Sequence, residues 1–210
     1  MTVKSISESS STEELERPCV SIIVRTKDRP EFLRRAIDSL VTQVFQDFEL
    51  VVVNDGDADI TPLFEGFRQK LSSIQIIKSL QSGNRVKAAN TGLEAALGKY
   101  IIFLDDDDWV FSDHLEKLVS ALETSPDYGV SYTGVQCVRQ NNESSDFQIE
   151  HEFNQAFDGA SLLIRNFIPI HAAMFRREFI DEGVRLDETL SYYEDWDFWL
   201  QVSQHGDLLH

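Results

Sequence analysis

Four short runs of almost unbroken apolar residues recur along the chain, each pair separated by enough residues for a helix: CVSIIVRT at 19–26, FELVVVND at 48–55, IQIIKSL at 74–80 and YIIFL at 100–104. A strand that is apolar on both faces must be covered on both, and parallel neighbours need a long crossover between them. The pattern predicts an α/β domain with a mostly parallel sheet flanked by helices on both faces.

The intervening segments carry the helical period. Phe32, Leu33, Ala36, Ile37, Leu40, Val41 and Val44 form one apolar stripe, with Pro30 in the first turn and Asp28 and Glu31 at capping-box spacing. A second helix is expected from Val86 to Leu97, stopped by Gly98, and a third from Ser112 to Glu123. Beyond them the sequence predicts a strand over 129–138, a polar turn over 139–146 and a strand over 147–153. A helix over 161–167, a strand over 171–177 and a helix opening with acids over 194–206 follow. Residues 1–17, rich in Ser and Glu, read as a flexible leader or linker, with the folded domain running from 18 to 210.

The formal net charge of -17 repels nucleic-acid backbones and anionic headgroups, so no nucleic-acid partner is expected. A phosphorylated ligand would need a cation or a local basic cluster against that field. Cys19 and Cys137 sit in strand-like contexts without metal-ligand spacing and read as buried thiols. No apolar run reaches bilayer length and the N-terminus lacks signal-peptide character. A cytoplasmic location is expected, with any attachment to the inner face of a membrane supplied by regions outside this chain.

Open parallel sheets collect ligands at the carboxyl ends of their strands. Three polar loops fall there: Arg25 to Arg29, Asn54 to Asp59, and Asp105 to Asp108. Four consecutive aspartates directly behind YIIFL tolerate one another when a divalent cation neutralises them, and oxygen ligands suit Mg²⁺ or Mn²⁺. The plainer alternative is a solvated acidic loop. Asn54-Asp55-Gly56 alone reads as a turn.

Together SIIVRTKDRPEFLRRAIDSL, FELVVVNDGD, AANTGLEAALGKYIIFLDDDDW and YEDWDFWLQV, in this order and spacing, resemble the catalytic domain of glycosyltransferase family 2, which has the Rossmann-like GT-A fold. The resemblance covers about residues 19 to 206. It implies a nucleotide-sugar donor across the strand ends, with Thr26 and Arg29 in the first donor loop and Asp55 on the base. Asp105 and Asp107 match the DXD pair that binds the ribose and the metal on the diphosphate; Asp106 fills the variable middle and Asp108 is the acid often found next. Arg85 and Lys87, at the start of the second helix, are the local cations that the acidic background calls for. Glu194-Asp195 matches the ED motif, with Asp195 as general base for an acceptor hydroxyl and Glu194 positioning the base or the acceptor. Acids at a helix start also serve simply as dipole partners.

The sequence departs from the family pattern in places. Ala89 stands before Asn90 where relatives often have Arg, EGVRLDETL keeps only Gly183 of a common Gly-Gly-Phe turn, and the Asp55 loop reads NDGDAD. The chain ends at His210, where relatives usually continue, so a domain of a longer protein is expected. Trp196, Trp199 and Leu200 form a helical stripe that reads as core. His171 is open between the acceptor side and a structural role.

The expected function is metal-dependent inverting transfer of a sugar from a nucleoside-diphosphate donor, a UDP-sugar or dTDP-rhamnose first, to a hydroxyl of a glycan or lipid-linked acceptor in surface polysaccharide synthesis. A nucleotidyltransferase making nucleotide sugars would need a Gly-rich, Arg-containing loop where this chain has TKDRPE. A non-catalytic nucleotide-sugar-binding module is the third reading; the intact Asp105, Asp107 and Asp195 argue against it and leave it open.

Overall fold

The computed structural model describes residues 17–71, 73–79, 83–140 and 147–210. The expected leader, apart from Arg17, and most of the expected turn at 139–146 lie outside them. The elements run β1 (Val20–Thr26), α1 (Pro30–Val41), β2 (Phe48–Asn54), α2 (Thr61–Phe64), β3 (Ile74–Lys78), α3 (Arg85–Ala95), β4 (Tyr100–Asp105) and α4 (His114–Thr124). They continue as β5 (Val130–Tyr132), β6 (Val135–Gln140), β7 (Phe147–Phe153), α5 (Gly159–Leu162), β8 (Ala173–Arg176), α6 (Glu178–Asp181) and α7 (Glu194–Val202).

The main sheet has the order β3-β2-β1-β4-β8-β5. The first four of these strands are parallel, while β8 runs antiparallel to both β4 and β5. Alternation along each strand explains the continuous apolar runs. Ile23, Val51, Ile101 and Phe103 point to the face covered by α3 and α7, and Ile22, Val24, Val52 and Leu104 to the face covered by α1 and α4. No helix among the described residues is long and apolar enough to cross a membrane.

Several boundaries differ from expectation for identifiable reasons. The run 129–138 splits at Thr133-Gly134: β5 pairs with β8, while β6 leaves the sheet to form a two-stranded ribbon with β7. Cys137 therefore lies exposed on the ribbon, not buried, and Cys19 is only half-buried. The helix expected over 161–167 is the single turn of α5, after which Leu163 and Ile164 are exposed. The final helix closes at Val202 and continues as a 3-10 turn.

Asp28 and Glu31 form no capping box. Arg29 is the N-cap of α1, without a side-chain cap bond, and Asp28 sits at φ 54° with its carboxylate turned to the neighbouring loop. Gly98 is needed for close approach and does not end the helix. A Cβ there would lie 2.5 Å from the Ser21 main-chain nitrogen on β1.

The amino end of the sheet holds a polar knot that the apolar run FELVVV conceals. Glu49, 1% exposed on β2, accepts hydrogen bonds from Ser21 Oγ (2.5 Å), the Leu97 main-chain N–H (2.6 Å) and Gln75 Nε2 (3.0 Å). A buried carboxylate persists only with such partners. Glu49→Leu leaves the Ser21 hydroxyl without its acceptor and the Leu97 N–H with Ser21 Oγ alone, at 3.1 Å, and is expected to cost about 2 kcal/mol in urea denaturation.

Candidate functional site

The parallel register decides what meets at the carboxyl end of the sheet. β1 lies between β2 and β4, with Arg25 directly beside Asp105 and Thr26 beside Asn54. Every aspartate of the run finds a partner. Arg25 Nη2 donates to Asp105 Oδ1 (2.5 Å), and Thr26 Oγ1 donates to Asp106 Oδ2 (2.7 Å). Arg29 spans Asp106 and Asp107 Oδ2, the second at 2.9 Å, while Arg35 Nη2 donates to the Asp107 carbonyl (2.7 Å). His171 Nδ1 lies 3.0 Å from Asp108 Oδ2.

Environment separates the four carboxyls. Burial pushes Asp105 up, but the adjacent Arg25 guanidinium outweighs it and holds the group below its ordinary range. Asp106 is fully buried, and that burial raises it despite the Thr26 hydrogen bond and the Arg29 charge. Burial also raises Asp108 against the pull of His171. His114, packed behind His171 at the start of α4, is pushed down to about 4 by burial.

A cleft of about 620 Å³ opens over these strand ends, lined among others by Thr26, Arg29, Asp55, Arg85, Asp105 and Asp107. Six of the expected site residues thus share one cavity. Asp55 is buried at the end of β2, and its Oδ2 accepts from the Gly83 main-chain N–H (2.8 Å), which ties the loop before α3 to the cleft. The NDG segment is an Asx turn, with Gly56 N–H donating to Asn54 Oδ1 (3.0 Å). Asp28 clips it from across the sheet, accepting from the Asp57 (2.8 Å) and Ala58 (2.9 Å) N–H groups. Lys87 is half-buried on α3 and does not line the cleft.

Glu194, 4% exposed at the start of α7, accepts from Arg85 Nη2 at 2.7 Å, which joins the ED segment to the wall of the cleft. Asp195 faces elsewhere: it accepts from Asn166 Nδ2 and from the Trp196 N–H, both at 2.8 Å. Burial raises its pKa and the Glu194 charge adds to that, against the two hydrogen bonds. The aromatic stripe behind it is core, as expected. Trp199 is fully buried, Trp196 and Leu200 pack against the same cluster, and the two indoles donate to the Ile168 (2.9 Å) and Leu162 (2.6 Å) carbonyls.

Asp105, Asp108 and His171 each offer a ligand atom, and these atoms lie within 4.8 Å of one another. Two carboxylates and an imidazole make a donor set that fits a divalent cation such as Mn²⁺. Asp107 stands outside this cluster, with its carboxylate on Arg29. Arg25 and Asp28 lie in a polar loop that the sequence places at the strand ends, but their partners, like that of Arg35, are set by registration against residues about 30 to 80 positions away.

The description "Glycosyl transferase family 2" belongs to the family model that matches residues 21–184. An uncharacterized glycosyltransferase of Methanocaldococcus jannaschii is 27% identical over 193 residues, covering 90% of this chain and 66% of that protein. One from Bacillus subtilis is 25% identical, covering 88% and 68%. Among solved structures, Staphylococcus aureus TarS in complex with UDP superposes with a TM-score of 0.70 at 22% identity, covering 90% of this chain and 57% of that one. A mannosyltransferase from Pyrobaculum calidifontis, solved with GDP-Man and Mn²⁺, gives 0.68 at 18% identity, covering 93% and 55%. The chain therefore spans about two thirds of the archaeal relative and a little over half of these structures, and it shares their GT-A fold.

Arg29 is the charge partner of a fully buried carboxylate. Arg29→Ala is expected to destabilise the protein by about 2 kcal/mol at pH 7, discounted because the arginine is half in solvent. Losing the cation raises the Asp106 pKa further, so the cost is carried by ionised Asp106. It should shrink as pH falls through that pKa, which urea titrations at pH 7 and pH 4 would measure.

Proposed function

The chain belongs to glycosyl transferase family 2, and from that premise we propose that it transfers a sugar from a nucleoside-diphosphate donor to an acceptor hydroxyl with inversion at the anomeric carbon. The observation that carries this reading is the Arg85–Glu194 ion pair. It links a cleft built for a charged nucleotide to the segment that bears Asp195.

The cleft suits a nucleoside diphosphate by its chemistry. Asp55 can accept from a base N–H, and Arg85 stands at the N-terminus of α3, where the helix dipole also favours phosphate. A divalent cation held by Asp105, Asp108 and His171 would supply charge neutralisation for the departing diphosphate. The neighbours solved with UDP, UDP-GlcNAc and GDP-Man make UDP-sugars the first donors to test, with dTDP-rhamnose and GDP-mannose next.

In the transfer itself, Asp195 takes the acceptor hydroxyl proton as that oxygen forms its bond to the anomeric carbon. The bond from that carbon to the phosphate oxygen breaks on the opposite face, and its electron pair leaves with the nucleoside diphosphate. A carboxylate whose pKa is raised by burial is a stronger base than a free one, which favours this role. Glu194 serves twice, as the anchor of Arg85 and as a like charge on Asp195. The acceptor is read as a glycan or lipid-linked glycan of a surface polysaccharide.

Calorimetric titration with UDP, dTDP and GDP, each with and without Mn²⁺, tests the donor site. Metal-dependent binding of one nucleotide is expected, lost in Asp105→Ala and His171→Ala; a folded protein that binds none of the three overturns the reading. Asp195→Asn should lower turnover by about 10²- to 10⁴-fold and leave nucleotide affinity unchanged.

The pH profile follows from the sign of the shift. With Asp195 raised above the ordinary carboxylate value of 3.8, kcat/KM falls as pH drops through that higher pKa. Glu194→Gln removes the like charge, so the acid limb moves to lower pH while the donor KM rises because Arg85 is released. An unmoved limb would separate Glu194 from the base.

A further inference from the structure

A second cleft, of about 660 Å³, lies on the α1 and α4 side of the strand ends, between those helices and the β6–β7 ribbon. It shares Asp107 with the nucleotide cleft, and Asp108 and His171 lie on its border, so the two cavities meet at the acid cluster. Its lining differs in kind from that of the first. Phe111 (72% exposed), Phe147 (47%) and Phe32 (45%) present rings to solvent within one concavity.

These rings are held in place. Trp109 packs against Phe147 with centroids 5.1 Å apart, and Arg35 lies 4.4 Å over the Trp109 ring, so the loop behind the aspartates and the ribbon are joined by stacking. Polar groups are interleaved with the aromatics. His114, only 9% exposed, borders the cleft; its Nδ1 faces Thr133 Oγ1 at 3.4 Å and the ring lies against the His171 main chain. Gln136 and Gln140 add amides at the ribbon.

Arg35 and Lys117 are balanced by Asp107, Asp108 and Asp113 on the same walls, and the chain as a whole is strongly acidic, which disfavours an anionic occupant. Exposed rings interleaved with the Gln136 and Gln140 amides and the Thr133 hydroxyl match an uncharged ligand that offers C–H faces and hydroxyls together. From this lining we infer that the cleft binds a neutral oligosaccharide. The inference rests on the glycosyltransferase reading for the occupant's role, the part of an acceptor glycan distal to the reacting hydroxyl; the binding itself does not depend on that reading.

The test is saturation-transfer NMR on the whole chain with neutral tetrasaccharides of β-glucose, β-N-acetylglucosamine and α-mannose, alongside UDP titration in the presence of Mn²⁺. At least one tetrasaccharide is expected to bind. Phe111→Ala and Phe147→Ala, both at exposed rings, should each weaken it roughly tenfold, the size of one lost ring contact, with UDP affinity unchanged within about twofold.

Three results overturn the inference. One is that no tetrasaccharide binds a folded protein; another is that binding is indifferent to both variants; the third is that a dodecyl chain, as in dodecyl maltoside, occupies the cleft when the free sugars do not. Oligosaccharide binding that is sensitive to both variants, in a protein that binds none of the nucleotides, would uphold the cleft while the transferase reading fell.

Discussion

The in-register pairing of β1 with β4 is the constraint on which the rest of the site depends. Arg25 stands beside Asp105 because the two strands are parallel neighbours; the last residue of β1, Thr26, then meets Asp106, and the loop after it brings Arg29 to Asp106 and Asp107. Four adjacent carboxylates would otherwise repel one another in a partly desolvated corner. The middle acid of the run is the most buried, and it works as the structural anchor of the loop that carries the others.

The two ends of the sheet are held by different chemistry. At the amino end, Glu49 and Ser21 gather the N–H groups of the turn that leads from α3 into β4, so the strand that ends in the aspartates also begins from a fixed point. At the carboxyl end the contacts are mostly between charges, which respond to cations, anions and pH. A rigid apolar sheet between a satisfied polar knot and a charged rim puts the adaptable chemistry where a ligand can reach it.

A buried charge joins the two halves of the rim, beside the hydrogen bonds that Asn90 makes with Leu186 and Glu188. Glu194 lies on α7, under the β8 half of the sheet, while Arg85 opens α3, beside the β1 and β2 half. Their ion pair is a polar bridge between the cleft over the strand ends and the segment carrying Asp195. The second cleft, on the other face of the sheet, touches the same acid cluster from the side of α1 and α4.

The four apolar runs, the α1 stripe and the helix-opening acids at 194–197 were enough to predict the central sheet, its covering helices and a charged edge, because burial on two faces leaves a local composition signature. The family resemblance named Asp55, Asp105, Asp107 and Asp195, of which the first three line the cleft and Asp195 faces Asn166. What it did not reveal were relations between distant residues: Asp28 clipping the Asp57 loop instead of capping α1, Cys137 left exposed when β6 peeled away, and His171 meeting Asp108. A residue's polarity and its local period are written in its neighbours along the chain. Its partner across a sheet is set by strand order and register, which are decided only when the whole core packs.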